Sequence, residues 1–225
     1  MSEINPHPLK PPRMFRWFEA VFDVLYLFVA ACIGVNALWR HAGAVGLLSG
    51  AMALVLAGGD AFHLIPRVIA AISGDQNRFK RMLGAGKLIT SITMTLFYVL
   101  LWHIGLLLFS PASGREWTAL VYAMAGLRIA LCLFRQNGWI GAEPSVRWAV
   151  LRNIPFLLLG AAVASLFGIC SSAAEPFYHM WLAIVFSFVF YIPVVIGVHK
   201  NPKLGMLMIP KTCMYIWMLV MCSAL

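Results

Sequence analysis

Long apolar blocks alternate with short polar turns along this chain, and that pattern predicts its elements. A helix needs about 20 mostly apolar residues to cross the hydrocarbon core of a bilayer. Seven stretches meet that length: 16–39, 44–66, 82–110, 117–134, 147–170, 177–198 and 204–224. Turn-forming residues separate them: Arg40-His41-Ala42-Gly43, Gly74-Asp75-Gln76-Asn77, Ser110-Pro111-Ala112-Ser113-Gly114, Asn137-Gly138 with Pro144, Ser171-Ser172, and Asn201-Pro202. The expected fold is an all-α, polytopic membrane protein. Residues 15–225 form a single seven-transmembrane-helix bundle behind a short N-terminal tail, 1–14.

Composition agrees: 62% of the 225 residues are hydrophobic and only 11% are charged, against about 25% charged in a typical soluble domain. The five cysteines, Cys32, Cys132, Cys170, Cys213 and Cys222, lie in or beside apolar runs without metal or disulfide spacing, and read as small buried hydrophobes. No metal site or cofactor is expected, and no heptad, low-complexity segment or internal repeat is evident. The first apolar run exceeds the length of a signal-peptide core and no cleavage site follows it, so a retained anchor is expected.

The net charge of +9 would fit nucleic acid, but its placement argues against that partner. Lys10, Arg13 and Arg16 precede the first span, and Arg67, Arg78, Lys80 and Arg81 fill the second connection. Arg135 and Arg147 flank the fourth, and Lys200 and Lys203 the sixth, while the alternate connections hold only Arg40 and Arg115. The positive-inside rule then predicts a cytoplasmic N-terminus and an outside C-terminus in the cell membrane, the inner membrane in a Gram-negative cell.

Several charges lie within the spans. Asp60 falls deep in the second, where an acid costs about 3 kcal/mol on insertion scales and commonly marks a pathway or reaction site. Glu19 and Asp23 are one turn apart on the first helix; Lys87, Arg128, Arg152 with Asn153, and Lys211 lie on later ones. At about 1.5 Å rise per residue, all fall roughly 5–11 Å inside the same basic boundary. The outer half is drier, with His103, His179 and Ser165 its main polar residues. These positions predict a polar pocket at the cytoplasmic leaflet with a surplus of cation, suited to an anionic ligand such as a phospholipid headgroup. Plainer roles compete with that reading. Arg152, Glu19 and Lys87 can snorkel to the interface, and Asp60 with Lys211 can be a purely structural ion pair. His63 shares a helix face with Asp60 and Arg67, where a lone histidine would be structural. Pro155, Pro193 and Pro210 are expected kinks.

The run Gly59-Asp60-Ala61-Phe62-His63-Leu64-Ile65-Pro66-Arg67 resembles the Gly-Asp helix end of the lysoplasmalogenase family, called YhhN-like in bacteria. Gly84-Ala85-Gly86 through Leu96-Phe97-Tyr98 resembles the family's following helix. Ser187-Phe188 to Pro193, the Lys200-Asn201-Pro202 turn, and Pro210 to Tyr215 are similar to its closing helix pair. The resemblance spans about 45–225. It departs at Phe188, where the family has a second acid, at Thr95, near a family histidine, and in having seven spans where eight are common.

That resemblance implies hydrolysis of the vinyl ether bond of a lysophospholipid. Such hydrolysis proceeds by protonation on carbon through an oxocarbenium cation, so the site must supply an acid, a water and negative charge. Asp60 and His63 are the expected catalytic pair, with Asp60 as cation stabiliser and His63 as proton donor. Lys87, Tyr98, Arg128, Tyr191, Lys211, Tyr215, Glu19 and Asp23 are the expected substrate-binding residues. Membrane lipids and a lysophospholipid or other amphipathic ligand are the expected partners. A transporter or binding protein without chemistry fits the same pocket. A retinal photoreceptor would use Lys211 for its Schiff base, but the third span has no acid as counter-ion. A purely structural membrane subunit is the remaining reading.

Overall fold

The computed structural model describes residues 13–40, 43–73, 76–112, 114–140, 145–170 and 175–224, and all their regular structure is helical. Residues 1–12 of the predicted tail, with Lys10, and the breaks at His41-Ala42, Gly74-Asp75, Ser113, Pro144 and Ser171-Ser172, lie outside the described residues. Seven long helices follow in order: α1 Arg13–Arg40, α2 Ala44–Ser73, α3 Gln76–Phe109, α4 Gly114–Leu133, α5 Val146–Cys170, α6 Met180–Gly197 and α7 Met208–Ser223. Short 3-10 turns, Phe177–His179 and Pro202–Leu207, lead into α6 and α7. Together with those turns, all seven are long and apolar enough to cross a bilayer, the architecture of a multi-pass membrane protein.

Two helices outrun their predicted spans by six residues or more. α2 passes through Pro66 to Ser73, and α3 begins at Gln76 rather than 82. At 34 residues, α3 is about 50 Å long against a hydrocarbon core of about 30 Å. Its polar first turns therefore continue the helix beyond the apolar layer, where hydropathy no longer marks an end. Pro155 and Pro193 lie inside α5 and α6. Pro210 corrects its expected kink: it sits in the first turn of α7, where a missing N–H leaves no helical bond unmade.

Each helix packs on the next, and α7 returns to α1, closing a ring; α3 also reaches α5, and α2 reaches α7. Bilayer lipid is as apolar as leucine, so close packing and interhelical hydrogen bonds must hold such a ring together. Both are present. Gly59 lies where a Cβ would collide with the Thr93 side chain, and Gly86 where it would collide with the Phe62 carbonyl. That carbonyl is four residues before Pro66 and has lost its helical donor, so α3 presses its glycine against the gap. Hydrogen bonds cross at Tyr26–Asp60 (2.7 Å), Thr90–Gly59 (3.0 Å), Tyr98–Ser187 (3.0 Å), Trp102–Thr118 (3.0 Å) and Arg128–Asn153 (3.1 Å).

The buried centre is aromatic. Phe97, Tyr98, Phe156, Phe188 and Tyr215 meet largely edge to face, with ring centroids 5.0–5.6 Å apart. Phe188 occupies space that Gly160 leaves open, since a Cβ there would meet its ring. Large apolar side chains cover the outside, among them Phe28, Phe62 and Ile169. A surface of that kind belongs against lipid.

Candidate functional site

At the end of the bundle where α1, α3, α5 and α7 begin, a cavity of about 70 Å³ is lined by Glu19, Phe22, Asp23, Asp60, His63, Leu64, Arg67, Thr90, Gly205, Met208, Ile209, Lys211, Thr212 and Tyr215. That is room for a few water molecules. Its wall is built by spacing: Glu19, Asp23 and Tyr26 fall on one face of α1, and Asp60, His63 and Arg67 on one face of α2.

The ionic pairing differs from the sequence expectation. Asp60 takes its hydrogen bond from the Tyr26 hydroxyl at 2.7 Å. Lys211 lines the same cavity, yet no ion pair within 4 Å joins it to Asp60. Arg67, read from the sequence as a basic turn residue on the helix face of Asp60 and His63, is 3.0 Å from Glu19 and 3.8 Å from Asp23. Arg67 thus pairs closely with Glu19 and lies only near Asp23. His63 keeps a buried Nδ1 with no hydrogen-bond partner, and one oxygen of Asp23 is likewise unbonded.

Beside this cavity lies a second polar cluster. Arg128 is only 2% exposed, and its guanidinium carbon stands 3.4 Å from the Phe156 ring centroid. One terminal nitrogen donates to Asn153 Oδ1 at 3.1 Å, while Nε has no partner. The Tyr191 hydroxyl donates to the same Asn153 oxygen at 3.0 Å. The Tyr191 ring then lies 4.8 Å from Lys211 Nζ, and Tyr215 4.9 Å from it on another side. Tyr98 and Ser187 share a 3.0 Å hydrogen bond in the buried aromatic centre, where Tyr98 packs on Phe156 and Phe188. Neither Arg128 nor Lys211 has a carboxylate within 4 Å among the described residues. Lys211 nevertheless shares its cavity with the carboxyl groups of Glu19, Asp23 and Asp60.

Other predicted residues fall elsewhere. Lys87 is exposed and lines none of these cavities. Arg152 donates to Asn137 Oδ1 at 2.8 Å and lies 4.3 Å from the Trp139 ring, so it ties α5 to the turn after α4. His103 is 2.6 Å from the Tyr122 hydroxyl, and His179 packs near Trp217.

Sequence reasoning left Tyr26, Arg67, Phe156 and Ser187 out of the site. A signal existed for the first: Tyr26 continues the Glu19–Asp23 face by one turn. Phe156 in a phenylalanine-rich chain carries no such mark.

Comparison of the chain with family models, curated proteins and solved structures finds no match in any of them. Its chemistry therefore has to be argued from these residues.

Proposed function

We propose that this is a multi-pass protein of the cell membrane (the inner membrane in a Gram-negative cell) that processes a lysolipid at the Asp60–His63 cavity, as in the lysoplasmalogenase-like, YhhN-like reading. The alternation of basic connections supports a cytoplasmic N-terminus, which puts the cavity in the cytoplasmic leaflet and the C-terminus outside. One observation carries the reading: Asp60 and His63 line one cavity with Lys211, and His63 Nδ1 has no protein partner.

The reaction is hydrolysis of a vinyl ether. His63 delivers a proton to the vinyl carbon that is not bonded to the ether oxygen, leaving an oxocarbenium cation that the Asp60 carboxylate faces. Water adds to that cation and gives up a proton, which restores the histidine. The hemiacetal then breaks its carbon–oxygen bond to release a fatty aldehyde and a glycerophospho-alcohol. Tyr26 holds Asp60 in place, and Lys211 supplies positive charge for the phosphate.

Purified protein is to be given lysolipids with vinyl ether, alkyl ether and ester links. Aldehyde is expected from the vinyl ether alone, with Asp60→Asn lowering the rate by about a hundredfold or more. Full aldehyde release by Asp60→Asn would falsify the assignment.

A second reading rests on Arg128. A buried guanidinium without a carboxylate also fits a transporter or binding protein for an anionic or amphipathic ligand, with no chemistry. Uptake into proteoliposomes without product formation is the outcome that would select it.

A further inference from the structure

Two buried acceptors belong to the polar cavity and lack a donor. Asp23 is 8% exposed, and its Oδ2 has no hydrogen-bond partner; His63 Nδ1, also buried, has none either. Both residues line the cavity of about 70 Å³. The neighbouring arginine answers neither need. Arg67 is held 3.0 Å from Glu19 and stays 3.8 Å from Asp23 Oδ2, too far for a hydrogen bond. The tautomer of His63 is set from α3. His63 makes a hydrogen bond to the backbone of Leu83, and because Nδ1 is unbonded, that bond belongs to Nε2. Neutral His63 therefore carries its hydrogen on Nε2 and offers a lone pair at Nδ1. The Asp23 carboxylate offers another. Two acceptors call for a ligand with two donors, and the cavity admits only a small one. Among the described residues no group of three His, Cys, Asp or Glu could hold a metal ion.

We propose that one water molecule is held between Asp23 and His63, and that Asp23 orients it for attack. It donates one hydrogen to Asp23 Oδ2 and the other to His63 Nδ1. A buried water is retained where several polar groups converge on it. The bridge follows from the cavity alone, while its chemical role rests on the hydrolytic reading above. Once His63 has given its proton to the vinyl carbon, Nδ1 is a base again. The water oxygen then bonds to the oxocarbenium carbon, its O–H toward His63 breaks, and that proton passes to Nδ1. The hydrogen held by Asp23 stays on the oxygen, as the hydroxyl of the hemiacetal. Asp23 thus aims a lone pair of the water at the cation, whereas Asp60 faces the charge. A residue expected from the sequence to bind substrate is on this account a water-positioning one.

Two measurements separate the bridge from the reaction. In substrate-free protein isotope-labelled at the histidine nitrogens, NMR magnetisation from water protons is expected to reach His63 Nδ1, a signal assigned by its loss in His63→Gln. Asp23→Leu keeps most of the volume and removes both acceptor oxygens. It is expected to cut that transfer by about tenfold, as the loss of a hydrogen bond to a charged group implies. Asp23→Asn retains one acceptor oxygen and should fall between the two. In turnover of a vinyl ether lysolipid with methanol present, water captures the cation as aldehyde and methanol captures it as a stable methyl acetal. Asp23→Leu is expected to raise the acetal-to-aldehyde ratio by about tenfold. Unfolding temperature checks that the variant is folded, and Asp23→Asn carries both readouts if it is not. Water transfer that is absent in the parent or unchanged in a folded Asp23 variant overturns the proposal, as does an unchanged acetal ratio. No aldehyde from the parent protein sinks the hydrolytic reading instead, and the NMR result alone then decides the bridge.

Discussion

Arg128 is the residue whose energetics are most unusual. A guanidinium buried in a membrane helix, 2% exposed and without an acid partner, has lost water and gained one side-chain hydrogen bond and an aromatic face. Replacing it with methionine keeps most of the volume and leaves Asn153 Oδ1 satisfied by Tyr191. Swapping buried charge for apolar bulk is often neutral or stabilising by about 1–4 kcal/mol. Arg128→Met is therefore expected to unfold in detergent at the same or a higher temperature than the parent while losing retained anionic lipid. A sharp fall in unfolding temperature would mark Arg128 as structural. Tyr26 makes the opposite prediction. Tyr26→Phe strips Asp60 of its 2.7 Å donor, and the loss of a hydrogen bond to a charged group is expected to cost about 1.5–3 kcal/mol. Because both changes act on one interaction, Tyr26→Phe and Asp60→Asn together should destabilise less than the sum of the two alone. Additive losses would show that the pair does not act as a unit.

At the scale of the element, the α2–α3 contact explains most of the Gly-Gly-Asp run. Gly59 is packed on Thr93, whereas a Cβ on Gly58 would meet nothing within 4 Å. Gly58→Ala is then expected to be neutral or to stabilise by up to about 1 kcal/mol through helix propensity. Gly59→Ala should destabilise by about 1–3 kcal/mol, since α3 must move to admit the methyl group. Comparing the two variants by thermal unfolding checks this, and equal behaviour would remove the packing account of Gly59. The glycine of the Gly-Asp motif thus has a steric reason to be there. That reason is independent of catalysis, and the motif taken as letters could not separate the two. Phe188 teaches the same lesson: it fills the space over Gly160, a complementarity between α5 and α6 that no single segment reveals.

At the scale of the whole molecule, seven spans among the described residues predict opposite membrane faces for the start of α1 and the end of α7. A periplasmic-type phosphatase reporter is expected to be active when fused to the C-terminus and inactive when placed in the 135–145 connection. The reverse pattern would turn the bundle over and move the cavity to the other leaflet. The seven apolar helices among the described residues were legible in the chain, because hydropathy over about 20 residues is a local sum that lipid reads directly. Helical rise alone also predicts that Glu19, Asp23, Asp60 and Lys211 share one level, and these four line one cavity. Pairing was not legible. Asp60 could have met Lys211, yet it meets Tyr26; Glu19 could have snorkelled, yet it meets Arg67; Lys87 shares their depth and stands outside the cavity. Depth is one coordinate, and it belongs to each helix separately. The direction a side chain faces depends on how that helix is rotated against its neighbours. Packing among residues far apart in sequence sets that rotation, so only the tertiary structure could decide which charges meet and which are left without a partner.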